Sequence, residues 1–92
     1  MKNGNVNEFV DQLYYGAELL FVHNGQKFFI QGQCADNVYA LYLERITPPA
    51  EDYIWTKSNS AGKYSVDDFL SAPIWDGKTF WEVESEMEWV DW

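Results

Sequence analysis

The stretch AELLFVHNGQKFFIQGQ, residues 17–33, constrains the fold more than any other part of this chain. Asn24-Gly25 is a strong two-residue hairpin signal, because both central positions of a type I′ turn need positive φ, which Asn and Gly tolerate. The turn sets a register in which His23 faces Gln26, Phe21 faces Phe28 and Leu19 faces Ile30. Leu19, Phe21, Phe28 and Ile30 then share one sheet face as core. Glu18, Leu20, Val22, Lys27, Phe29 and Gln31 share the other, which is amphipathic.

The flanking sequence supplies the remaining elements. Asn5 followed by Glu8 reads as a helix cap, and Val6, Phe9, Val10 and Leu13 form a helical stripe that Gly16 can end. This predicts a first helix over 6–15. Residues 38–46 are a third strand with Tyr39, Leu41 and Leu43 on one face, stopped by Pro48 and Pro49. DYIWT, 52–56, is a short edge-strand candidate, and SNSAGK a loop. Ser65 caps a short second helix carrying Phe69 and Leu70 inward, Pro73 ends it, and Asp76-Gly77 turns the chain. Thr79-x-x-Glu82 is a capping box that opens a last helix. The expected fold class is α+β in a single domain, 1–92: an N-terminal helix, a three- to four-stranded antiparallel meander, a short helix and a C-terminal helix.

Hydrophobic residues make up 47% of the chain and aromatics 18%, which supplies a real core and excludes wholesale disorder. Fifteen acids against six bases give a formal charge of -9. That field repels phosphate backbones, so direct nucleic-acid binding is not expected, and it attracts basic proteins. One cysteine, Cys34, excludes a disulfide framework and a zinc quartet. No apolar run approaches the roughly 20 residues of a membrane span, and the start lacks a signal-peptide pattern, so a cytoplasmic protein without membrane contact is expected.

The end of the chain, FWEVESEMEWVDW, carries glutamate at every second position from 82 to 88 and no base. As a helix it places Phe80, Val83, Met87 and Val90 on a core stripe. Trp81, Ser85, Trp89 and Trp92 fall roughly opposite, within about 80° of arc. The like-charge pairs Glu82/Glu86 and Glu84/Glu88, with Glu86, Glu88 and Asp91 at the negative end of the helix dipole, cost on the order of 1–2 kcal/mol in total. Charge retained at such a cost points to a contact surface. Trp81, Glu82, Glu84, Glu86, Glu88, Trp89, Asp91 and Trp92 are the expected partner-binding residues. The plainer alternative is a solvated acidic face with the tryptophans packed on the sheet or on a dimer partner.

Catalytic chemistry is thin. His23 is the sole histidine and flanks a turn expected to be exposed, and Cys34 is expected in a polar turn with no base nearby in sequence. Carboxylates are so numerous that a pair at any spacing carries no information. No EF-hand, P-loop or dinucleotide motif is present. No catalytic residue, metal site or cofactor is expected.

The G-x-E-L-x-F-x-x-N-G-x-K-F-x-I-x-G hairpin and SVDDFLSAPIWDGKTFWEVESEMEW together resemble a widespread set of short bacterial proteins, common in Gram-positive bacteria and their mobile elements. The resemblance spans roughly residues 16–32 and 64–90, rests on turn and core positions, and implies the fold without an activity. In size, acidity and implied origin the chain is also similar, as a class, to small acidic phage inhibitors of the anti-CRISPR and DNA-mimic type. The expected function is a non-enzymatic inhibitor, monomeric or weakly dimeric, that occludes the basic surface of a nucleic-acid-binding protein. On a helix, alternate glutamates would advance about 3 Å, near the phosphate spacing of a DNA strand. The alternatives are an immunity or antitoxin protein neutralising a basic toxin, and a small-ligand-binding domain.

Overall fold

A computed structural model describes residues 1–90; Asp91 and Trp92 lie outside the described residues. Helix α1 spans Val6–Tyr14, and the Asn5 side chain accepts hydrogen bonds from the amides of Asn7 and Glu8 at 2.8 and 3.2 Å. Phe9 and Leu13 are its buried positions, and Gly16, at φ 71°, takes the left-handed conformation just beyond its end.

Strands β1 (Leu19–His23) and β2 (Gln26–Ala35) form the expected hairpin in the expected register, with Asn24 and Gly25 at φ 51° and 73°. A second two-residue turn of the same kind, Asp36-Asn37 at φ 52° and 64°, leads to β3 (Val38–Thr47). Cys34 consequently lies in β2 opposite Tyr39 rather than in a turn. Strand β4 begins three residues later than the edge-strand candidate, at Trp55–Asn59, and pairs with β3. Tyr53, before it, packs its ring 4.9 Å from that of Tyr42 instead of joining the ladder.

Helix α2 (Val66–Ser71) carries Val66, Phe69 and Leu70 inward. Asp76-Gly77 turns between Trp75 and Lys78, with both central residues at positive φ. The Thr79/Glu82 capping box opens α3 as expected, but α3 ends at Val83. A single 3₁₀ turn follows over Glu84–Glu86, and Glu88–Val90 is a fifth strand, β5, antiparallel to β1. The C-terminal helix expected over the whole terminal stretch is therefore corrected to four helical residues, a 3₁₀ turn and a strand. The physical reason lies in the same sequence: extension would stack like charges and add no basic residue at the negative end. The alternation of Glu86, Met87, Glu88 and Trp89 suits a strand, with Met87 fully buried and Glu86 and Glu88 exposed.

The product is an α+β fold with a five-stranded antiparallel sheet, order β4-β3-β2-β1-β5. Phe9 and Leu13 of α1, Val66, Phe69 and Leu70 of α2, and Phe80 and Val83 of α3 share one core with Leu19, Phe21, Phe28, Ile30, Leu41 and Leu43 of the sheet. Phe9 sits at its centre, edge-on to Phe21 and stacked at 5.9 Å on Phe80. No helix among the described residues is long and apolar enough to cross a membrane.

Candidate functional site

The change from helix to strand divides the residues expected on one contact face among several surroundings. Trp81 and Glu82 stay on α3 and are exposed, with Trp81 retaining 50% of its surface. Its ring meets that of Phe80 edge-on at 5.5 Å, which leaves the indole anchored on one side. Beside it lies a shallow depression of about 240 Å³ lined by Asp67, Leu70, Ser71, Thr79 and Trp81, between α2 and α3. The Tyr14 hydroxyl donates to Asp67 at 2.6 Å, bringing the end of α1 to this rim. That bond, and then the loss of hydration and the nearby carboxylate charge, raise the Tyr14 phenol above its ordinary pKa. Tyr15 next to it is also exposed.

Glu82 is fixed by the cap it forms. Its carboxylate accepts from the Thr79 amide at 2.9 Å and from the Thr79 hydroxyl at 3.2 Å. The amide bond most of all, then the hydroxyl, then Lys78, hold its pKa below the usual carboxylate value. Glu82 is thus a held negative charge beside an exposed indole.

The other residues are placed differently. Glu84 accepts from the Met1 ammonium at 2.7 Å, an ion pair in which the Met1 side chain is fully covered. Glu86 and Glu88 line a separate groove at the hairpin end, with Lys2, Val22, Asn24 and Gly25. Trp89 is half-buried and turned onto its own core, edge-on to Phe9 at 5.3 Å and in close approach to Gly4. The expected positions Asp91 and Trp92 fall outside the described residues. The helical glutamate spacing resembling a phosphate ladder is overturned, because Glu82, Glu84 and Glu88 occupy a helix, a 3₁₀ turn and a strand.

Three residues near the hairpin turn carry more than the sequence suggested. His23, expected at the surface, is only 7% exposed, and its ring packs edge-on against Trp75 at 5.5 Å. The register already held the signal, since alternation puts His23 on the face of Leu19 and Phe21. Arg45 opposes Phe28 and so shares that face. Trp75, from the α2–α3 connection, is distant in sequence and had no local signal pointing to either partner.

Among the described residues, no cluster of three or more His, Cys, Asp or Glu side chains is arranged to hold a metal ion. Comparison with protein-family models, with curated proteins and with solved structures finds no match to this chain.

Proposed function

We propose that this chain is a non-enzymatic, acidic protein-binding module: an inhibitor that covers a basic, nucleic-acid-binding surface of a partner protein. The observation that carries the reading is Trp81, half-exposed over an apolar-floored depression whose rim holds Asp67, with Glu82 adjacent on α3. Tryptophan anchors supply a large share of interface energy when they enter a desolvated pocket, and surrounding carboxylates steer a basic partner. The formal charge of -9 strengthens that steering over the whole surface. The contact surface on this reading is the helical side: Tyr14, Asp67, Trp81 and Glu82. Trp89 and Glu84 serve the fold.

The test begins with capture from an extract of the source cells and continues with the purified partner. The partner should have a basic surface, and nucleic acid should compete with this chain for it. Trp81→Ala should cost about 2 kcal/mol of binding, mainly through faster dissociation. Glu82→Lys should slow association and flatten its salt dependence. A captured partner whose binding is indifferent to both substitutions, or which nucleic acid does not displace, would overturn the reading.

A further inference from the structure

The depression between α2 and α3 offers a guest acceptors and almost no donors. Three hydroxyl groups stand in or beside it, on Tyr14, Ser71 and Thr79, and each spends its proton inside the protein. Tyr14 donates to Asp67 Oδ1 at 2.6 Å, Ser71 to the Asp67 backbone carbonyl at 2.9 Å, and Thr79 to Glu82 Oε1 at 3.2 Å. A carbonyl or an ionised carboxylate can only accept, so the direction of all three bonds is fixed. What these hydroxyls still present outward is oxygen lone pairs. The Trp81 indole N–H is the side-chain donor that remains among the described lining residues.

Asp67 adds a charge that the chain leaves open. Tyr14 bonds its Oδ1, Oδ2 has no partner among the described residues, and Lys57 turns instead to Asp68 at 3.1 Å. Glu82, next to Trp81, is a second negative charge held ionised by its cap. The floor is apolar: Leu70 is buried in the core below, and the Trp81 ring stands half free beside it. An anionic, acceptor-rich rim over an aromatic floor calls for a flat cation rich in donors. A guanidinium has five N–H groups and no acceptor, stacks on an indole, and matches a carboxylate with its planar fork. An ammonium is a compact, strongly hydrated point charge that gains less from such a surface. A cavity of about 150 Å³ holds a benzene-sized guest, so the roughly 240 Å³ here takes a guanidinium with part of its stem.

We propose that this depression receives an arginine side chain of the partner, its guanidinium stacked on Trp81 and hydrogen-bonded to Asp67. The proposal rests on the protein-binding reading and names what that surface grips. Arginine is what a surface made for phosphate presents, and a carboxylate takes the place of the phosphate.

The probe is the capped tripeptide Gly-Arg-Gly, titrated into the full chain at constant ionic strength while the indole N–H resonances are followed by ¹H–¹⁵N NMR. One side chain on an open surface binds in the tens of millimolar, so the titration runs to about 200 mM. The expected result is a saturable shift of the Trp81 indole resonance, with that of the buried Trp75 indole unmoved. Asp67→Asn, which keeps an acceptor for Tyr14 and removes the charge, should weaken binding about three- to fivefold. Trp81→Leu should do the same, followed through the Leu70 and Thr79 backbone amides. The lysine and citrulline versions of the peptide should bind at least about threefold more weakly. The proposal is overturned if the arginine peptide gives no saturable shift, if either analogue binds as well, or if Asp67→Asn binds it unchanged while remaining folded. Any of these alongside a captured basic partner that Trp81→Ala releases removes the arginine and keeps the protein-binding reading. A selective arginine site in a chain that captures no basic partner removes that reading instead.

Discussion

Trp81 and Trp89 belong to one short acidic segment, yet their surroundings are opposite. Trp81 stands on α3 with half its surface free, touching Phe80 alone among the aromatic rings of the described residues. Trp89 stands on β5 between two neighbouring segments. It pairs with Phe21 of β1, its amide donates to the Lys2 carbonyl at 3.0 Å, and the Asn3 side chain donates to its carbonyl at 3.1 Å. The difference teaches that the switch at Met87, and not the count of tryptophans or glutamates, decides which of the two indoles is left exposed. Before it, aromatic and acidic side chains face outward from a short helix. After it, the chain is drawn into the sheet and sealed by its own N-terminal residues.

The largest effect that would break this contrast is at the switch itself. Met87 is fully buried, and its carbonyl accepts from the Lys2 amide at 2.7 Å. Met87→Ala should cost about 2–5 kcal/mol through the cavity it leaves, measured by denaturant unfolding. Gly4→Ala sharpens the Trp89 side. An added Cβ would stand 2.5 Å from Trp89 Cε3, within the rigid ring, so a loss of about 1–3 kcal/mol is expected. The same change should leave Trp81-dependent binding untouched.

Glu84 tests whether a glutamate of this segment serves the fold. Its pair with the Met1 ammonium is mostly covered, and Glu84→Gln should lower stability by about 1 kcal/mol in denaturant unfolding, with no effect on partner binding. The smallest effect concerns Glu82. Its pKa is held below the ordinary carboxylate value, so the folded state favours the ionised form. That contribution is present above the ordinary carboxylate range and is lost as pH falls through the lowered folded value. Between about pH 6 and pH 3 the melting-temperature gap between wild type and Glu82→Gln should therefore shrink, and a gap that widens on acidification would contradict the assigned cause.

What was legible in the sequence follows from range. Asn24-Gly25 and the Leu19/Phe21 alternation agree locally, and the hairpin formed in the expected register. The Thr79/Glu82 box also formed, because a capping box is complete within one turn. Helical periodicity from Phe80 onward competed with a period-two alternation of glutamates, and the adverse charge pairs already weighed against the helix. What settled the competition was the open edge of β1 and the strand-like reach of Lys2, both remote in sequence. The surroundings of His23 were hidden for the same reason. One wall comes from the hairpin, one from the end of β3, and one from the α2–α3 connection. Alternation could have turned His23 inward, but nothing local could have placed Trp75 against it.

Thermal unfolding of Trp81→Ala and Trp89→Ala, side by side with wild type, tests the division of this segment most directly. Trp89→Ala removes a ring packed on Phe9 and should lower stability by about 3 kcal/mol, or roughly 10–20 °C in a domain of this size. Trp81→Ala removes an exposed ring and should shift the midpoint by no more than about 4 °C. Equal drops, or a larger drop for Trp81→Ala, would contradict the account.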